Sequence, residues 1–231
     1  MPTTRAATIV LVCLVAGCGA ACGDADPAAQ RSAPPSSVAV DASESRPRVV
    51  ALGDSLTAGL GLPLAESYPS VLQGVMTAAG YDYEVVNAGV SGDTTAGGLR
   101  RLEWVLEGDV RVLIVALGAN DGLRGLSIEQ MRGNLTAMIE LAKSREIEVL
   151  LAGMEALPNL GAEYTTAFRG VYLDLADQYR VRLLPFLLAG VAGDPSLNQA
   201  DGIHPNAEGA RRVADLVWSA LEPILQGGVG E

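Results

Sequence analysis

Ser55 stands where an apolar run stops. In Val49-Val50-Ala51-Leu52-Gly53-Asp54-Ser55-Leu56-Thr57 a β-branched stretch ends at Gly-Asp-Ser, and the small residues Thr57-Ala58-Gly59 follow. That pattern predicts a strand delivering a hydroxyl to a tight turn at its carboxyl end, where open α/β sheets bind their ligands. A serine hydroxyl is a weak nucleophile until a base takes its proton, and imidazole suits that task near neutral pH. The chain has one histidine, His204; if a histidine activates Ser55, it is this one. Asp201, three residues earlier in Asp201-Gly202-Ile203-His204, can fold back across a turn onto Nδ1, fixing the tautomer and stabilising the imidazolium. Attack on a carbonyl also needs donors already aimed at the developing oxyanion. The Asn120 side chain, in Gly118-Ala119-Asn120-Asp121-Gly122, and the backbone N–H groups of Ser55 and Gly92 can supply three. Glycine at 92 also lets the backbone approach a substrate with no Cβ in the way. The chemistry these types permit is acyl transfer through an acyl-serine, with no cofactor and no metal ion.

Each residue also has a plainer use. Gly-Asp-Ser closing a strand is ordinary turn chemistry, as is Gly-Ala-Asn-Asp. A lone histidine before a helix can be a surface or cap residue, and Asp201-Gly202 can be a turn and nothing more. Asp54, Asp93 and Asp121 read as turn and cap residues.

The elements that would position these groups alternate along the chain. Strands are predicted at 48–53, 83–87, 110–117, 147–153 and 181–185, and helices at 66–79, 94–107, 127–145, 163–179 and 206–225. Val112-Leu113-Ile114-Val115-Ala116-Leu117 is apolar on both faces, as a sheet covered by helices on both sides requires. Ser127 and Gln130 form a capping-box pattern at one helix start, followed by Leu135, Met138, Ile139 and Ala142 at helical spacing. Pro205 suits the first position of the last helix, which would put His204 near its N-cap. Five strand–helix units in one domain, residues 48–231, give a parallel, doubly wound α/β sheet. Every chemistry-bearing residue then falls just after a strand or in the last loop before the final helix.

Residues 1–17 carry Arg5 and an apolar run, Ala6–Ala16, that is short for a membrane span and reads as an export signal. Cysteines occur only at 13, 18 and 22, so no disulfide framework holds the domain. Residues 18–47, rich in Ala, Pro, Ser, Asp and Gly without hydrophobic period, read as a disordered tether. The 231-residue chain is 49% hydrophobic with a net charge of -11. That charge argues against a nucleic-acid partner, which normally meets a basic stripe, and offers no attraction to anionic lipid. Removing residues 1–17 takes away one Arg and no acid, which makes the charge -12. A monomer is expected.

Gly-Asp-Ser-Leu-Thr, Ser-Gly-Asp-Thr, Gly-Ala-Asn-Asp-Gly-Leu-Arg-Gly and Asp-Gly-Ile-His-Pro-Asn, in this order, resemble the four blocks of the GDSL or SGNH hydrolases. They are most similar to the bacterial branch of multifunctional esterase, thioesterase I and lysophospholipase L1. The likeness spans residues 48–225. It implies a flavodoxin-like three-layer α/β/α fold with strand order 2-1-3-4-5. It implies Ser55 as nucleophile, Asp201 and His204 completing the triad, and Gly92 and Asn120 as oxyanion donors beside Ser55. It implies small acyl-ester, thioester or lysophospholipid substrates. The Gly-x-Ser-x-Gly elbow of the α/β-hydrolases is absent, because position 57 is Thr. The sequence departs from the resemblance at Glu155 and Leu157, where family members tend to carry Arg and Pro in the loop expected to flank the acyl groove. Leu123, Met154, Leu157 and Ile203 are candidates for that groove, with ordinary packing as their other use. Leu14-Val15-Ala16-Gly17-Cys18 resembles a lipobox, which implies cleavage before Cys18, lipid on its sulfur and a membrane-anchored, exported enzyme. The alternative is a leader cut near Ala20 or Ala21 and a secreted protein. Rival functions are a carbohydrate O-acetylesterase on the same fold and a non-catalytic tethered binding lipoprotein.

Overall fold

The computed structural model describes residues 46–227. The leader at 1–17, Cys18 and all but the last two residues of the tether lie outside them. Five parallel strands, β1 (Arg48–Gly53), β2 (Glu84–Gly89), β3 (Val110–Ala116), β4 (Glu148–Ala152) and β5 (Arg182–Leu184), form one sheet in the order β2-β1-β3-β4-β5. β1 and β3 are central and their apolar runs are buried, whereas every residue of the edge strand β2 is half-buried. Burial on both faces is why the central strands lack polar alternation.

The long helices are α2 (Tyr68–Ala78), α3 (Thr95–Val105), α5 (Ile128–Ser144), α6 (Ala162–Tyr179) and α7 (Ala207–Gly227). α2 packs on α7, while α3 packs on α5 and α5 on α6, which gives the two outer layers. Two short helices occupy sites predicted as turns: α1 (Ser55–Ala58) and α4 (Ala119–Leu123). Asp54 starts α1 by accepting a hydrogen bond from the Leu56 N–H at 3.0 Å, so the strand-to-helix turn places Ser55 in the first helical position.

Two cap expectations change. Ser127 Oγ accepts from the Gln130 N–H, but its hydroxyl donates to the Glu129 carboxylate, a charge-assisted bond in place of the return bond of a capping box. The last helix begins at Ala207, with Asn206 Oδ1 accepting the N–H groups of Glu208 and Gly209. Pro205 pairs instead with Asn198 in an isolated bridge, so His204 lies in a loop outside the helix and not at its cap.

Candidate active site

Ser55, at the carboxyl end of β1, and the loop before α7 meet across 149 residues of sequence. Ser55 Oγ lies 2.8 Å from His204 Nε2, and His204 Nδ1 lies 2.7 Å from Asp201 Oδ2. The other Asp201 oxygen accepts the N–H groups of Ile203 and His204, each at 3.0 Å. These local bonds, led by the His204 N–H, hold the Asp201 carboxyl at about 2, below its ordinary value. An ionised Asp201 selects the tautomer with hydrogen on Nδ1 and leaves the Nε2 lone pair facing the Ser55 hydroxyl. Gln199, which the sequence reading missed, ties this loop down. Its N–H donates to the His204 carbonyl, and its side-chain amide donates to the carbonyls of Leu60 and Pro205.

On the opposite side the polar groups are buried. Asp54, 1% exposed, accepts from the Asn120 amide at 3.2 Å as well as from Leu56. Burial pushes its carboxyl up to about 6. One N–H of the Asn120 amide is thereby engaged, and the other makes no hydrogen bond to a described residue. Asp121, 3% exposed, accepts both the N–H and the hydroxyl of Thr95, at 2.8 and 2.6 Å. Asp93 pairs with Arg101 at 2.8 Å. Asp54 thus acts as the expected cap. Asp93 is the expected turn residue, its N–H closing on the Val90 carbonyl, while Thr94 caps α3 through the Gly97 N–H and Asp121 reaches from α4 to Thr95 at the start of α3.

Gly92 sits in a turn closed by the Asp93 N–H on the Val90 carbonyl. Its φ is +82° while Ser91 keeps a negative φ, the signature of a type II turn with glycine at the third position. In such a turn the Gly92 N–H takes no part in the closing bond. Neither it nor the Ser55 N–H makes a hydrogen bond to another described residue. The turn is fastened to β1 by the Val90 N–H on the Gly53 carbonyl, and to the end of α4 by Arg124 on the Gly92 carbonyl at 2.9 Å.

Ser55, Asn120 and His204 open into a groove of about 500 Å³. All four groove candidates line it: Leu123, Leu157 and Ile203 are half-exposed, while Met154 is buried. Phe186 and Leu188 line it too. They follow β5 in a stretch with no periodicity, which left no sequence signal. Gly92 is not among the residues that line the groove.

An α/β sheet in this order, with these blocks on its carboxyl edge, is the SGNH hydrolase fold. The sequence model of the GDSL-like lipase/acylhydrolase family matches residues 51–212, and the chain belongs to that family. It is 43% identical over 178 residues to Esterase TesA of Pseudomonas aeruginosa, covering 77% of this chain and 89% of the relative. It is 37% identical over 175 residues to Thioesterase 1/protease 1/lysophospholipase L1 of Escherichia coli K12, covering 75% and 83%. The crystal structure of the psychrotrophic esterase EstA from Pseudoalteromonas sp., inhibited by monoethylphosphonate, superposes with a TM-score of 0.74 at 31% identity, covering 78% of this chain and 98% of that one.

Proposed function

We propose that this hydrolase is a serine esterase acting on acyl esters and thioesters, with Ser55 as nucleophile, His204 as general base and acid, and Asp201 as its orienting partner. The observation that carries the reading is the unbroken contact from Ser55 Oγ through His204 to Asp201, at 2.8 and 2.7 Å. Nε2 takes the hydroxyl proton as Oγ bonds to the substrate carbonyl carbon, and the carbonyl oxygen becomes an oxyanion. The free N–H groups of Ser55, Gly92 and Asn120 are the donors for that charge. Collapse breaks the bond to the alcohol or thiol, which leaves with the proton from Nε2. Water, deprotonated by the same imidazole, then bonds to the acyl carbon; the acyl–Oγ bond breaks to release the acid, and Nε2 returns the proton to Oγ.

The apolar walls of the groove favour an acyl chain, as in lysophospholipids or in aryl and alkyl esters. The esterase and thioesterase relatives support the same substrate classes. The apolar leader followed by Leu14-Val15-Ala16-Gly17-Cys18 supports export and a lipid anchor at Cys18.

The test is kcat/KM across p-nitrophenyl esters from acetyl to palmitoyl, with Ser55→Ala as blank. The groove predicts values rising toward medium or long chains and no turnover by the blank. A sharp optimum at acetyl moves the assignment to small-ester or carbohydrate deacetylation, and ester hydrolysis persisting near the wild-type rate in Ser55→Ala overturns it.

A further inference from the structure

We propose that Arg101 is a positioning residue that locks the Gly92 turn to the Ser55 turn, so that two oxyanion donors from separate strands act as one device. The inference rests on the reading of Gly92 as a donor in the proposed reaction. Arg101 lies on α3 and touches neither the groove nor the Ser55–His204 pair. Its guanidinium uses two of its nitrogens: Nε donates to Asp93 Oδ2 at 2.8 Å, and Nη2 donates to the Gly53 carbonyl at 3.0 Å. Asp93 is the residue after Gly92. Gly53 ends β1, two residues before Ser55, and the same carbonyl accepts the Val90 N–H at 3.0 Å. One side chain therefore spans the two backbone segments whose free N–H groups must converge on one oxygen.

The arrangement is built to be stiff. Arg101 and Asp93 are 18% and 16% exposed, so their attraction is only weakly screened and neither is free to swing into solvent. The Asp93 carboxylate lies against the first turn of α3 at Gly97, where a Cβ would overlap its oxygens. Any residue other than glycine there would evict it. Gly92 needs the hold because its turn is exposed and, among the described residues, Arg124 is the one side chain bonded to Gly92 itself. A planar guanidinium can bridge a carboxylate and a carbonyl at fixed spacing; a lysine ammonium is a point charge and cannot hold the same fork.

Displacing an oxyanion donor costs rate without costing ground-state binding. Arg101→Lys is therefore expected to lower kcat about 10–100-fold while KM stays within about twofold, with the pH profile unshifted. Melting temperature is measured in parallel. Asp93→Asn, which keeps the side chain's volume and an acceptor oxygen, is expected to lose about 10-fold in kcat and serves if Arg101→Lys folds poorly. The separating measurement is the double variant with Gly92→Ala. If Arg101 acts through the Gly92 turn, Arg101→Lys costs little once that turn is already broken; a merely structural role multiplies the two losses. Unchanged kcat in Arg101→Lys and Asp93→Asn, or full multiplication in the double variant, overturns the proposal and leaves the triad reading intact. Activity surviving in Ser55→Ala would instead overturn the triad reading, and with it the oxyanion role on which this proposal rests.

Discussion

The two sides of the Ser55 groove are built in opposite ways. The His204 side is organised mostly within one loop: Asp201 accepts from Ile203 and His204 within three residues, its side chain is 47% exposed, hydrogen bonding holds its carboxyl at about 2, and Gln199 adds one distant tie to Leu60. The side that carries the proposed oxyanion donors is assembled from distant blocks. Asp54 meets Asn120 across 66 residues, Asp121 meets Thr95 across 26, and Arg101 reaches Gly53 across 48, all at buried or half-buried positions. The side of the proposed base is organised by a local turn that solvent can reach. The donor side relies on buried polar contacts that form only once the sheet has assembled. A movable proton carrier tolerates the first design; fixed dipoles for an oxyanion require the second.

The sharpest way to break the comparison is His204→Ala. It removes the proposed base, whose Nε2 is hydrogen-bonded to Ser55 Oγ, and is expected to lower kcat/KM about 10⁴-fold or more, read with a medium-chain p-nitrophenyl ester. The local loop predicts little change in melting temperature.

Asp54→Asn probes the other side and is expected to cost about 10–100-fold in kcat with KM nearly unchanged. An Asn at 54 can still accept from Leu56, but its amide would face the amide of Asn120. Relief requires Asn120 to turn, which directs its oxygen in place of its N–H toward the oxyanion.

The same variant tests stability. The folded carboxyl of Asp54 stands near 6, above its ordinary 3.8, so its contribution to stability is present below about pH 4 and is lost as pH rises through about 6. A shift of that size is on the order of 3 kcal/mol. The melting temperature of Asp54→Asn relative to wild type should therefore move in the variant's favour by about 5–10 °C between pH 4 and pH 7.5. Asp201 has the opposite sign. Its carboxyl lies below the ordinary value, so its contribution fades only as pH falls toward about 2, outside that window.

This contrast also sets what the sequence could reveal. Asp201 and His204 are three residues apart and declare their geometry through turn chemistry alone, and the apolar strands around Ser55 and Asn120 predict the sheet edge that carries them. The four blocks make the strand order legible through the family resemblance. What stays hidden is contact at long range. Nothing in the type or spacing of Arg101, Asp93, Asp121 or Gln199 distinguishes a tertiary tie from a helix face, a cap or a turn. The short helices α1 and α4 escape because four or five residues carry no periodicity. Pro205 misleads for a related reason: it fits a first helical position, but its pairing with Asn198 and the cap supplied by Asn206 decide the start of α7.

The central claim is that Ser55 is a nucleophile activated by His204. Treating the protein with a fluorophosphonate and mapping the adduct by peptide mass spectrometry tests it most directly. A single adduct on Ser55, absent in Ser55→Ala and formed far more slowly in His204→Ala, is the predicted result. An adduct on another residue, or no adduct in protein that is hydrolysing esters at the same time, would contradict it.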